Sequence, residues 1–320
     1  MIRACLPALC LGVLSSIVVR GQIPASIVPR LRPPAPLTDA QPVLSANSSL
    51  VVIPTWVSTA AGTSVTSLNR DNFHLLEDNL EQEIAYFVKD DAPLSIGLLF
   101  DISGSMKDKM EKASEAVAAF FKTANTEDEF FLVEFGDRAR LVTPFTTEPD
   151  DIYDRIVRTK PLGRTTLLDA IDLGLKQMKK AKHQRKAIVI ISDGGDNWSR
   201  HSAREIRNRL LEADVQLYAM GIFDPELSIK SPVENRKGPA LLEELAGQTG
   251  GREYPVDNLN DLPAISAKIG NDLRNEYLLG FYAAGTRDGK YHRVKVSLAL
   301  PDNAPPLRAN YRRGYYAPTE

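Results

Sequence analysis

Apolar positions along this chain change their period twice. Between Ser48 and Val88 they fall in short β-rich runs, Leu50-Val51-Val52-Ile53, Asn72-Phe73-His74-Leu75-Leu76 and Ile84-Ala85-Tyr86-Phe87-Val88, with turn signals at Ala61-Gly62 and Glu77-Asp78-Asn79. From Leu94 the pattern becomes strand-like runs alternating with helical spacing. Leu94 to Phe100 reads as a buried strand, and a helix follows on Met106, Met110, Ala113, Val117 and Phe120/Phe121. Phe130 to Phe135 is the next strand and Ala139 to Val142 a short edge strand. Thr147 is expected to cap a helix with Pro149 and acids in its first turn. Helix 167–180, strand 187–192, helix 202–213, strand 215–222, helix 240–248, a short strand near Arg252-Glu253-Tyr254 and a last amphipathic helix over 259–275 complete the alternation. After Asn275 the β pattern returns, at 277–282, 291–300 and 307–311.

Continuous apolar strands separated by helices predict an α/β fold, a doubly wound and mostly parallel sheet covered on both faces. The β-rich flanks on either side of it are expected to pair into one small accessory β domain. The organisation read from the sequence is thus an N-terminal β segment over 48–91, an α/β domain over 92–275 and a C-terminal β segment over 276–320 that pairs with the first.

Ahead of these lie two segments of different character. Met1-Ile2-Arg3 followed by an apolar run from Ala4 to Val19 reads as an export signal over 1–21, too short and too interrupted by Pro7 for a membrane span. Residues 22–47 hold Pro24, Pro29, Pro33, Pro34, Pro36 and Pro42, a spacing that defeats helix and central strand and predicts an extended linker. Both cysteines, Cys5 and Cys10, fall in the first segment, so the exported chain is expected to contain no disulfide, zinc–thiolate site or cysteine nucleophile. Its loss takes 39 basic against 41 acidic side chains to 37 against 41, a net −4. That balance argues against nucleic acid as a partner. No later stretch is apolar enough for a span, and the protein is expected to be periplasmic, cell-surface or secreted.

Three polar sites fall where strands give way to loops: Asp101-Ile102-Ser103-Gly104-Ser105, Gly163-Arg164-Thr165-Thr166 leading to Asp169, and Ser192-Asp193-Gly194-Gly195-Asp196. In a doubly wound sheet, the carboxyl ends of the strands carry the ligand crevice, so these loops are expected to meet at one edge. Their hydroxyls and carboxylates supply only oxygen, which suits a hard cation such as Mg²⁺. Gly104 lets the first loop turn tightly, and a helix starting around Ser105-Met106 would add partial positive charge favouring an incoming anion.

Asp-x-Ser-x-Ser after a hydrophobic strand, Gly-x-Thr before a helix and Ser-Asp-Gly after another strand together resemble the metal-ion-dependent adhesion site of von Willebrand factor type A domains, whose fold is Rossmann-like. The resemblance implies that Ser103, Ser105 and Thr165 are hydroxyl ligands, and that Asp101 and Asp193 bind the ion directly or through water. Thr166 competes with Thr165, which is preferred because it stands two residues after Gly163. Arg164 replaces a glycine often found there and would tune ligand choice. Asp169 would orient the loop or cap the helix, with Asp196 behind the ligands. Asp71 to Phe87 and the tail from Tyr277 to Pro318 resemble an exported bacterial group of such proteins best known from Acidobacteria.

The function implied is an adhesion-type protein-binding module. A divalent cation, Mg²⁺ with Mn²⁺ or Ca²⁺ as alternatives, would bridge to an Asp or Glu carboxylate of a protein partner. The alternatives are a metal-indifferent envelope scaffold, or a metal-dependent hydrolase. No enzyme is expected, because no histidine or lysine is placed near the three loops as acid or base. The cations at 179–186 and Arg200, Arg204, Arg207 and Arg209 read as solvated surface, and the polar stretch 224–239 as an insertion near the site edge. In related domains a shift of the last helix couples the metal site to neighbouring domains, an expectation extended to 259–275.

Overall fold

The computed structural model describes residues 49–89, 91–193, 195–222, 232–283, 288–301 and 303–319; the expected export signal, the expected linker and the first half of the 224–239 stretch lie outside them. A six-stranded sheet forms the centre, built from β5 (Leu94–Asp101), β6 (Glu129–Phe135), β7 (Ala139–Thr146), β8 (Arg185–Ser192), β9 (Gln216–Ile222) and β10 (Arg252–Val256). Its order is β10-β9-β8-β5-β6-β7, parallel throughout except for the antiparallel edge strand β7. Every residue of β5, β6 and β9 is buried, as a strand covered on both faces requires. Two apolar layers result. One packs α1 (Met110–Phe121), α2 (Pro149–Arg158) and α6 (Leu262–Arg274) against Ile96, Leu98, Phe100 and Val189. The other packs α3 (Leu167–Met178), α4 (Ala203–Ala213) and α5 (Pro232–Gln248) against Leu99, Phe131, Val133 and Ile190. Gly97 is required where the Phe131 ring lies against β5: a Cβ there would stand 2.2 Å from Phe131 Cζ.

The flanking segments interleave. β1 (Ser49–Thr59) lies between β11 (Tyr277–Ala283) and β13 (Leu307–Tyr311), antiparallel to both, and β4 (Tyr86–Val88) closes the other edge of β11. A second sheet runs β14 (Gly314–Tyr316), β12 (Tyr291–Leu298), β2 (Phe73–Glu77), β3 (Leu80–Gln82). The two share one core of Ile53, Leu75, Tyr277, Leu279, Phe281 and Val296.

The α/β core is tied to this sandwich at the end of α6. Asp272 accepts from Ser64 Oγ at 2.6 Å and Tyr254 Oη at 2.5 Å, while Arg274 pairs with Asp128 and Asp91. Glu276 is fully buried against Arg185, 2.9 Å away, and Gln216.

Several boundaries differ from the sequence reading. The first helix starts at Met110, because Gly104–Met106 forms a separate 3-10 turn, so the helix terminus expected at Ser105-Met106 stands one turn farther along. Glu148, not Thr147, is the N-cap of α2, and Thr146 Oγ1 accepts from the Glu148 N–H. α5 begins at Pro232 and continues through Pro239. Arg185 leaves the surface run for a buried ion pair, and Arg207 and Arg209 pair with Glu244 and Asp172 rather than facing water alone.

On the edge strand β10, burial, followed by the nearby Glu243, pushes the Glu253 carboxyl up to about 7, and its Oε1 has no hydrogen-bond partner among the described residues. A carboxyl raised on folding contributes stability at low pH that is lost as pH rises from its unfolded value through about 7. Glu253→Gln is therefore expected to leave thermal stability unchanged at pH 4 and to raise it at pH 8, by about 1 kcal/mol after solvent screening of a half-exposed group. Unfolding curves at the two pH values give the comparison; equal effects at both would contradict it.

Candidate functional site

The strand order reverses between β5 and β8, which puts the crevice of the doubly wound sheet at their carboxyl ends. Asp101 is the last residue of β5 and Asp193 follows β8. Asp101 is fully buried. Its Oδ1 accepts the Ser103 N–H at 2.8 Å and its Oδ2 accepts from Ser192 Oγ at 2.6 Å. Burial, then the charge of Asp193, pushes the Asp101 carboxyl up to about 7 against the opposing pull of those hydrogen bonds. The Ser103 and Ser105 hydroxyls lie 3.0 Å apart, Ser103 buried and Ser105 open to solvent.

The second loop is laced to the first. Gly104 N–H donates to Gly163 O at 3.0 Å and Leu162 N–H to Ile102 O at 2.7 Å. Gly163 has φ +92, and Asp137 fills the space that a Cβ would need, 2.6 Å away. The Asp137 carboxylate accepts the Arg164 N–H at 2.9 Å. Thr165 is buried; its N–H donates to Asn197 Oδ1, and its carbonyl accepts the N–H groups of Asn197 and Trp198. Its hydroxyl takes no hydrogen bond among the described residues. Thr166, the rival candidate, spends its hydroxyl on Gly136 O at 3.0 Å and is the N-cap of α3.

The outlying acids have structural duties. Asp196 Oδ1 accepts the Leu168 N–H at 3.3 Å and Ser199 Oγ at 2.5 Å, bonding the first turn of α3 from outside; burial raises its carboxyl all the same. Asp169 accepts the backbone N–H groups of Arg200 and His201 and the His201 ring at 2.8 Å. Burial pushes this carboxyl up, but those bonds outweigh it and hold it below its ordinary value.

One residue corrects the sequence reading, which placed no lysine here. Lys109 Nζ donates to Asp193 Oδ2 at 2.9 Å, with both side chains largely buried. Lys109 lies 84 residues from Asp193, and no periodicity marks such a pair. Arg164 and Trp198 were likewise not read as partners, yet the guanidinium lies 3.6 Å over the indole centroid.

A hard divalent cation fits this donor set. All the candidate donors are oxygens, and two carboxylates oppose one another beside a pair of hydroxyls, an arrangement that positive charge relieves. Lys109 supplies one such charge from within the chain. Among the described residues no three His, Cys, Asp or Glu side chains form a metal-ligand cluster, so any such site relies on hydroxyls.

Residues 96–195 match the von Willebrand factor type A domain. An uncharacterized protein of Borreliella burgdorferi is 26% identical over 193 residues, 52% of this chain and 55% of that protein. Inter-alpha-trypsin inhibitor heavy chain H2 of Mesocricetus auratus is 25% identical over 163 residues, 46% of this chain and 17% of its own length. This chain thus spans about half of the first relative and a small part of the second. Among solved structures, proximal thread matrix protein 1 from the mussel byssus superposes with a TM-score of 0.50 at 17% identity, covering 62% of this chain and 50% of that one. That likeness speaks for the fold alone. No helix among the described residues is long and apolar enough to cross a membrane.

Proposed function

We propose, from the premise that this chain carries a von Willebrand factor type A domain, that it is an exported, metal-dependent protein-binding module. Asp101, Ser103, Ser105, Thr165 and Asp193 would hold the ion, Mg²⁺ or else Mn²⁺ or Ca²⁺. Bound there, the cation would supply a Lewis-acidic point for an Asp or Glu carboxylate of a protein partner. The observation that carries this reading is the buried Asp101 facing the charge of Asp193 beside the paired serine hydroxyls. Burying an unpaired carboxylate is costly, and a second carboxylate beside it adds to that cost. Folds keep such an arrangement where a cation offsets it. Calorimetric titration of the purified protein with Mg²⁺, Mn²⁺ and Ca²⁺ tests the reading, and no heat with any of the three would refute it.

The Lys109–Asp193 ion pair favours a second reading, in which the ammonium takes the place of the metal and the domain is a metal-indifferent scaffold. One substitution separates the two. On the metal-binding reading Lys109 competes with the ion for Asp193, and Lys109→Met is expected to raise metal affinity. Removing a charge-assisted hydrogen bond of ~1.5–3 kcal/mol corresponds to about tenfold or more. On the scaffold reading the variant gains no metal affinity and loses stability instead. A hydrolase would have Lys109 as its available acid or base; Mg²⁺-dependent turnover of an ester, lost in Asp101→Ala, would establish that activity.

A further inference from the structure

The edge that carries the candidate metal residues also presents a cation on an aromatic platform, and the metal-binding reading makes no use of either. Trp198 is 55% exposed, unlike the chain's other tryptophan, Trp56, which is 2% exposed in the interior. The Arg164 guanidinium lies 3.6 Å over its ring centroid. Among the described residues no carboxylate pairs with that guanidinium.

The platform is held in place from both sides. The left-handed Gly163 and the Asp137 carboxylate fix the backbone at Arg164, and the Trp198 N–H donates to the carbonyl of Thr165, the next residue along. The pair therefore sits one residue from a candidate metal ligand, on two loops joined through that ligand's own backbone.

A guanidinium lying over an aromatic ring with no carboxylate partner keeps N–H donors for a ligand, and their fork matches a carboxylate. The contact also restrains a side chain that would otherwise lose rotamer entropy on binding. We propose that Arg164, held over the Trp198 ring, is a second carboxylate receptor beside the metal site. The ligand class is then an acidic peptide with two carboxylates close in sequence, one directed to the metal and the other to Arg164. This rests on the metal-binding reading above.

The test uses Mn²⁺ and two synthetic glycine-spaced peptides, one with a single aspartate and one with two aspartates a residue apart. Mn²⁺ uptake is measured first by calorimetry, and peptide affinities follow at saturating Mn²⁺. The two-aspartate peptide is expected to bind about tenfold more tightly, the worth of one charge-assisted bidentate contact. Arg164→Gln should bring the ratio of the two affinities down to about two, the statistical advantage of two equivalent carboxylates for one ion, while Arg164→Lys should keep part of the preference beyond it. Because the ratio is taken within each variant, changes in metal affinity cancel. The two-aspartate peptide should also shield Trp198 from acrylamide quenching, with Trp56 as the quench-resistant background. A preference no greater than the statistical one in the parent protein, no binding of either peptide, or a larger preference that survives Arg164→Gln would overturn the assignment of Arg164. Absence of Mn²⁺ uptake would sink the metal reading and this inference with it, and would be seen before any peptide is added.

Discussion

Asp101→Asn is expected to weaken divalent-metal binding at least ~100-fold, since changes that only touch the partners of metal ligands cost 10- to 100-fold. The substitution keeps the shape of the side chain. An amide oxygen can still accept the Ser103 N–H, and the amide N–H₂ can donate to the Ser192 hydroxyl that now donates to Asp101. The variant therefore removes charge and little else. Asp101 is fully buried and faces Asp193, so in the metal-free protein its ionised form is unfavourable. The raised carboxyl contributes least to stability above about pH 7. The metal-free variant should accordingly melt no earlier than its parent at pH 8, while losing metal uptake and any metal-dependent partner capture. Thermal unfolding with EDTA and with Mn²⁺, beside calorimetry, separates the effects. Metal affinity within a few-fold of the parent would remove Asp101 from the site.

Arg185→Met should be the most destabilising single change away from that edge. The guanidinium bonds Ala92 O, Leu273 O and Glu276, gathering the lead into β5, the end of α6 and the start of β11 at one point. Burial pushes the Glu276 carboxyl up, and Arg185, Gln216 and Tyr218 pull against that. Without the arginine the carboxylate stays buried with no counter-charge, held only by the neutral Gln216 and Tyr218, which costs ~3–5 kcal/mol and lowers the melting temperature by roughly 10 °C in a chain of this size. The loss should shrink as pH falls, because Glu276 then takes a proton. Arg185→Met combined with Glu276→Gln should recover most of it, since replacing both members of a buried pair is far cheaper than orphaning one. A double variant no more stable than the single one would show that the cost lies in packing.

The α/β core was legible because its strands are buried on both faces, so that Leu94–Asp101 and Glu129–Phe135 print unbroken runs into the sequence. The first and third loops were legible because polar residues directly follow the buried strands β5 and β8, whereas the Gly163 loop follows α2 and was marked only by Gly-x-Thr ahead of a helix. Side chains that meet across long separations were not. Arg185 reads as one more cation in a basic run, and its partner lies 91 residues on. Lys109 belongs by position to a helix start, and only the fold brings it to Asp193. Helix boundaries failed where local bonds compete with the helix. Gly104 gives its N–H to Gly163, Ser103 and Gly104 accept from Met106 and Lys107 in a 3-10 turn, and α1 is delayed to Met110. Asp169 and Asp196 looked alike as acids near a loop. Their partners decide their roles: Asp169 holds the Arg200-His201 backbone, and Asp196 bonds the start of α3.

β1 is zipped along both edges, to β11 from Ser49 through Thr55 and to β13 from Thr55 through Thr59. If a partner pulls at the loops beyond β5 and β8 while the chain is anchored upstream of Ser49, the tension runs down β1. Drawn along its own axis, that strand must slide past two neighbours at once, and the backbone bonds of both ladders share the load. Peeled sideways, the same bonds would fail one after another. The sandwich would then act as a mechanical clasp, turning traction into shear across its longest strand before the grip at Asp101 is tested.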